Sequence, residues 1–233
     1  MAVNCFGRGA FTPLLFNWRR LAILASIALL TACSSQKPLS PFAATGYIAD
    51  EGAVRIWRKE SSGDNTHILA AFSPWRGGAT TVGEYRWNND QLTFLQLSIA
   101  GKDPEQVRIR FADNGELSFM QREVNGQKQQ LSEDQIALYL YRARQMREVS
   151  EALRIGHVVL HQGRWHRDNT VTTCEGTLTT PKLDNEALRF IERRQSNSTA
   201  EVSIAWLEAP EGTQLLLVAN QDFCTWQPKP DDF

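Results

Sequence analysis

No stretch of this chain is long and apolar enough to cross a bilayer as a helix. The longest uncharged, mostly apolar run is Leu21 to Thr31, 11 residues, whereas a spanning helix needs roughly 20. Extending the run backward would carry Asn17, Arg19 and Arg20 into hydrocarbon. Cysteine is scarce, with four in 233 residues and no Cys-x-x-Cys spacing, so dithiol redox and thiolate–metal motifs have no foothold. A basic surplus is also missing, because 25 Lys and Arg face 26 Asp and Glu. That balance provides no large positive field for nucleic acid. Gly-x-Ser-x-Gly and glycine-rich phosphate loops are absent, and no Ser-x-x-Lys stands in a setting of the penicillin-binding kind. Of the four histidines, His157, His161 and His166 are the nearest to a group. The Val-Val-Leu between the first two predicts strand, which would put them on one face but roughly 13 Å apart. No metal and no cofactor is therefore expected.

What the chain does have begins at its amino terminus. Arg8, Arg19 and Arg20 precede the 11-residue apolar run with no acidic residue among them. A basic segment followed by an apolar core of about 7–15 residues reads as a signal peptide. The run ends in Leu30-Thr31-Ala32-Cys33, which resembles a bacterial lipobox. Small residues before the bond suit the peptidase, and the cysteine sulfur takes diacylglycerol before cleavage. The freed amino group can then receive a further chain such as palmitate. Two or more acyl chains anchor stably where one does not. Ser34 in place of an aspartate favours the outer membrane, with the body facing the periplasm. The expected organisation is a signal peptide at 1–32, a lipidated terminus and tether at 33–43, and a single α+β domain at 44–233.

Removing the leader leaves 22 basic residues, since three of the 25 are leader arginines, against 26 acidic. Cys174 and Cys224 become the only thiols in an oxidising compartment besides the lipidated one, so a disulfide between them is expected. From Thr45 to about Gln130 the pattern is strand-like. Two hairpins follow a shared plan: Tyr85 to Phe94 turning at Asn88–Asp90, and Arg110 to Phe119 turning at Asp113-Asn114-Gly115. Asn and Gly tolerate the positive φ of such turns. Val107, Ile109 and Phe111 share one face, Arg108 and Arg110 the other, as in a sheet with one buried side.

Ser132-Glu-Asp-Gln135 forms a capping box for a helix running to about Ile155, with Gly156 as its stop. Its apolar stripe is Ile136, Tyr139/Leu140, Ala143, Met146, Val149 and Leu153, leaving Arg142, Arg144, Arg147 and Glu148 toward water. Asp184 caps a shorter helix, and a last hairpin turns at Glu211-Gly212. The fold class is α+β: a mainly antiparallel, possibly curved sheet with one long helix and a second short one.

Tryptophan recurs beside arginine, at Trp57-Arg58, Trp75-Arg76, Arg86-Trp87 and Arg164-Trp165. Such pairs can make cation–π contacts or a platform for a sugar or peptide, although sheet proteins also use Trp to close cores. The candidate binding surface is Trp57, Trp75, Arg76, Trp87 and Trp165, with Pro74 to Gly78 as its loop. Carboxylates such as Asp64, Glu84 and Asp90 have no mutual placement from sequence. Phe233 ends the chain as barrel strands end, but Pro228 and Pro230 argue against a strand there.

The stretches Gly52-Ala-Val-Arg-Ile-Trp-Arg58, Pro74-Trp-Arg-Gly-Gly78, Leu131 to Leu138 and Trp206 to Ala219 resemble an enterobacterial family of lipoproteins, the YjaH-like domain of unknown function. The resemblance supports the lipoprotein reading and carries no activity or catalytic residue with it. The expected role is a lipid-anchored, non-catalytic accessory or binding module of the envelope, without nucleic acid. Its partners are the membrane through Cys33 and an envelope protein or apolar ligand. Two rivals remain open: a carrier or chaperone of an apolar ligand in a cavity between sheet and long helix, and an enzyme acting on glycan or peptidoglycan through paired carboxylates.

Overall fold

The computed structural model describes residues 39–233. The leader, Cys33 and the first part of the tether lie outside the described residues. Thirteen strands and two α-helices follow. Eight strands form a meander in sequence order: β1 (Phe42–Ala49), β2 (Gly52–Ser61), β3 (Asn65–Pro74), β4 (Thr81–Asn88), β5 (Gln91–Ile99), β6 (Glu105–Phe111), β7 (Leu117–Val124) and β8 (Gln127–Gln129). All pairings between neighbours are antiparallel. The turns carry the residues that tolerate positive φ, with Asn89 at 53° and Gly115 at 83°, as the hairpin readings require.

Helix α1 (Glu133–Ile155) begins at the capping box: Gln135 N–H donates to Ser132 Oγ while Ser132 N–H donates to Gln135 Oε1. It lies on one face of the meander. Ile136, Tyr139, Ala143, Met146 and Leu153 pack on Val54, Ile56, Ile68, Tyr85, Trp87, Leu95, Val107 and Ile109. Only Ala143 and Ser150 of α1 are fully buried, so the helix rests on the sheet rather than sinking into it.

A second sheet is built from β9 (Val159–Trp165), β10 (Val171–Thr173), β11 (Leu178–Thr179), β12 (Ser203–Ala209) and β13 (Gly212–Ala219), in the order β11-β10-β9-β12-β13. Its inner residues Leu160, Ala205, Leu207 and Leu216 pack against Ala53, Trp57 and Ala71 of the meander. Helix α2 (Asn185–Ser196), capped by Asp184, covers the outer side through Ile191 and Leu188 over Ile204 and Trp206. The layers therefore run α1, first sheet, second sheet, α2. Gly46 on β1 permits this stacking, because a Cβ there would stand 2.5 Å from the Val54 carbonyl and 3.1 Å from Leu216.

The layering explains β2. Every residue from Gly52 to Arg58 is buried, because α1 covers one face of this strand and the second sheet the other. A disulfide joins Cys174, just past β10, to Cys224 in the 3-10 turn Phe223–Trp226. The second sheet covers only β1–β3. The outer face of β4–β7 is not covered by the second sheet, and the C-terminal segment reaches only its β4–β5 side.

Candidate functional site

The tryptophans are dispersed by strand alternation. Trp57 (1% exposed) closes the core between the sheets, Trp87 (4%) lies under α1, and Trp165 (2%) lies under α2. As a binding surface these three are a misreading: each points to a covered side of its strand, into a different core. Trp75 is 44% exposed, and its indole N–H donates to the Ala49 carbonyl at 3.2 Å. It and the exposed Arg76 belong to a loop folded onto the β1–β2 turn.

The histidines also separate. His157 sits in the turn after α1 with φ of 54°, off the strand on which the sequence places it. A positive φ is available there because the chain must reverse immediately after the Gly156 cap. His161 stacks on Trp206 at 5.2 Å, and His166 bonds Thr172 Oγ1 at 2.7 Å. Among the described residues no group of three His, Cys, Asp or Glu is placed to hold a metal.

Between α1 and the adjoining strand ends and turns lies an open cleft of about 1330 Å³. Its lining is charged on both signs, with Arg58, Arg144, Arg147 and Arg154 against Glu60, Asp64, Asp90, Glu148 and Glu151. Arg58 is the anchor. It pairs with Glu60 at 2.5 Å and Glu151 at 2.9 Å, and donates to Ser150 Oγ and the Arg147 carbonyl. Arg147 pairs with Asp90 and stands over Trp87. Burial pushes the Glu151 carboxyl up, but the bond from Arg154 and the charges of Arg58, Arg154 and Arg147 outweigh it, leaving the pKa below the ordinary value. A general acid needs the opposite shift. Arg58 and Arg147 are engaged in holding the helix to the sheet.

The outer face of β4–β7 is different. Cross-strand register aligns Arg86 with Phe94, Phe94 with Arg110, and Arg110 with Phe119. The guanidinium of Arg86 lies 5.3 Å from the Phe94 ring centre, and that of Arg110 lies 5.8 Å from Phe94 and 5.9 Å from Phe119. The result is a row of alternating cation and phenyl across four strands.

A repeated local device flanks this row. In the first hairpin Arg86 pairs with Phe94 while Trp87 pairs with Leu92, so Thr93 is an extra residue. In the second, Arg110 pairs with Phe119 while Phe111 pairs with Leu117, so Ser118 is extra. Each extra hydroxyl donates to the carbonyl of its arginine, at 3.0 Å and 3.1 Å. Residues two apart on a regular strand share a face. The bulge breaks that rule: Leu92 packs into the core under α1 while Phe94 stands on the outer face between two guanidiniums.

Neighbours on this face are mostly uncharged amides and hydroxyls. Arg108 donates to Gln96 Oε1 at 3.0 Å, and Gln121 to Glu123. Arg86 donates twice to Glu84, which His67 also contacts at 3.0 Å. The His67 bond lowers the Glu84 pKa, burial opposes it, and Arg86 reinforces the lowering. Beside the row, the C-terminal segment from Thr225 to Asp232 and the strand residues Leu69, Val82, Glu84, Gln96 and Ser98 enclose a cavity of about 360 Å³. Sequence reasoning finds Arg108 and Arg110 on one wet face and the shared hairpin plan. It misses Phe94 and Phe119, whose outward placement depends on register.

Comparison with known proteins adds relatives without an assigned activity. A family model described as "Protein of unknown function (DUF1481)" matches residues 44–229. The chain is 60% identical over 232 residues to "Uncharacterized protein YjaH" of Escherichia coli (strain K12), covering 99% of this chain and 100% of that protein. No solved structure matches.

Proposed function

For a chain that belongs to the DUF1481 family, we propose the role of a lipid-anchored envelope module that binds through the outer face of β4–β7. The anchor is Cys33, and the domain faces the periplasm from the outer membrane. The observation that carries the binding assignment is the row in which Phe94 and Phe119 stand on the uncovered face beside Arg86 and Arg110. A sheet face with no partner ordinarily hides its phenyl rings, because apolar surface left in water costs about 25 cal/mol per Å². Here Phe119 is exposed and Phe94 half-buried, each against a guanidinium.

Of the two rival readings, a carrier of apolar ligands is supported least by the space between sheet and helix, whose walls carry charges of both signs. A glycan-cleaving enzyme needs one carboxyl held protonated, whereas Glu84 and Glu151 are both shifted toward the ionised form. Two experiments test the proposal. Metabolic palmitate labelling should mark the wild type and not Cys33→Ala; equal labelling of both removes the anchor. A photo-crosslinking residue replacing Phe119 in the full-length protein in cells should give adducts that one replacing Phe190, exposed on α2, does not. Those adducts should disappear when Arg86 and Arg110 are both changed to serine. Equal adducts from both positions would remove the binding face.

A further inference from the structure

We propose that this face and the cavity beside it bind an anionic oligosaccharide, one whose rings carry carboxylates. The inference rests on the binding-module reading and supplies its ligand. It begins with charge. Among the described residues Arg108 and Arg110 have no ion-pair partner: Arg108 donates to the neutral Gln96, and Arg110 lies between two phenyl rings. Arg86 is half-exposed and shares Glu84 with His67. The face therefore presents two cations, Arg108 and Arg110, held by neutral neighbours and free to accept a carboxylate in the bidentate manner of guanidinium, while Arg86 is already engaged with Glu84.

The alternation is the second element. Neighbouring strands lie about 4.8 Å apart, so Phe94 and Phe119, two strands apart, are separated by roughly 10 Å, and the four-residue row is about 14 Å long. That is too long for a small inorganic ion and suits a chain of rings. Phenyl faces stack on the C–H faces of sugars, and one guanidinium per phenyl matches one negative charge per ring. Singly charged carboxylates fit this spacing better than phosphates, which would draw several cations together. Gln96, Ser98, Gln106 and Gln121 occupy outward positions on the same strands and offer uncharged donors and acceptors for hydroxyls.

Other ligand classes fit less well. A peptide adds to a sheet at an unpaired edge, but β4–β7 are interior strands whose backbone groups are engaged on both sides. A lipid surface wants contiguous apolar area, and here every phenyl is bordered by a guanidinium. The neighbouring cavity, of about 360 Å³, is within the range of small-ligand pockets. Its wall includes Trp226, which is 40% exposed, and it shares Glu84 and Gln96 with the surroundings of the row. It can receive the end of a chain lying along the phenyls.

The test is titration of the purified full-length protein in detergent with three probes: an oligogalacturonate of about six rings, maltohexaose, and inorganic polyphosphate of similar charge. Oligogalacturonate should bind, Arg110→Ser should weaken it about tenfold or more, and Phe119→Ala should weaken it roughly three- to tenfold. Phe119→Tyr should restore binding, and thermal melts should place all the variants near the wild type. Maltohexaose should bind at least tenfold more weakly. Polyphosphate binding that ignores Phe119→Ala is expected if charge alone attracts it. The proposal is overturned if oligogalacturonate also ignores Phe119→Ala, if maltohexaose binds as tightly, or if no probe but polyphosphate binds. Loss of glycan binding with the Phe119 crosslinks intact would reject the ligand class and leave the module reading standing. Loss of both would reject the two together.

Discussion

Arg55 offers the sharpest test of how the two sheets are held together. It is 5% exposed, on the β2 face turned toward the second sheet. Its Nη1 donates to Gln162 Oε1 at 3.1 Å, its guanidinium lies 4.6 Å from the Phe223 ring centre, and its Nε has no partner. Burial lowers its pKa from 12.5 to about 10, a differential cost to the charged form of about 3 kcal/mol. Against this stand the hydrogen bond to Gln162, about 1.5–3 kcal/mol, a longer and weaker one from Nη2 to Ser73 Oγ at 3.5 Å, and a desolvated cation–π contact of about 2 kcal/mol. The two sides nearly cancel. Arg55→Ala would leave a cavity and an unpaired Gln162, costing about 3–5 kcal/mol. Arg55→Met with Gln162→Met removes the charge and its acceptor together while filling the space, and should fall within about 1 kcal/mol of wild type. Urea denaturation of both variants near pH 7 measures the difference. The sign with pH follows from a folded pKa below the unfolded one: the folded state loses this proton first, so wild-type stability relative to the double variant rises as pH climbs through about 10. A double variant that loses as much as Arg55→Ala would refute the near-cancellation.

Three further outcomes follow from the same structure. Arg58→Ala strands Glu60, leaves Glu151 with Arg154 alone and removes the bonds that tie α1 to β2 at Ser150 and the Arg147 carbonyl, so it should cost about 3–5 kcal/mol; retention of wild-type stability in a urea titration would dismiss that network as ornamental. Reducing the Cys174–Cys224 bridge, which spans 50 residues, should lower stability by about 4 kcal/mol, and a shift below about 1 kcal/mol with and without reductant would contradict the chain-entropy argument. Glu84 is held below its ordinary 4.5, so its stabilisation is complete above that pH and is lost as the folded form takes up a proton below it. Glu84→Gln should flatten the acid limb of the stability curve below pH 4.5, and an unchanged limb would count against the His67–Glu84–Arg86 cluster.

What was legible in the sequence was local. Ser132 and Gln135 announce the start of α1 by a reciprocal pair of bonds three residues apart, and Asp184 does the same for α2 with one bond. Asn89 and Gly115 mark turns because few other residues accept their φ. The split into two sheets was not legible, since nothing within β2 records that its second face is covered by strands more than 100 residues later. The same blindness produced the tryptophan misreading: Trp57, Trp87 and Trp165 lie on faces whose covering layers are distant in sequence. Arg147, read as facing water, is half-buried over Trp87 because the β4–β5 turn supplies Asp90 to meet it. The binding face was half visible. Arg108 and Arg110 alternate correctly, but Thr93 and Ser118 look like ordinary strand residues until the pairing counts two residues against one.

Those two hydroxyl residues have a meaning at the level of the gene. Each is one codon that adds a residue without changing which way a phenylalanine looks. Deleting the Thr93 codon would make Leu92 and Phe94 chain neighbours, and ordinary alternation would still hold them on opposite faces, with Arg86 opposite Phe94 and Trp87 opposite Leu92. What the codon adds is a local kink and a hydroxyl on the Arg86 carbonyl. A related chain could therefore lack the three nucleotides and keep the alternating row of arginine and phenyl.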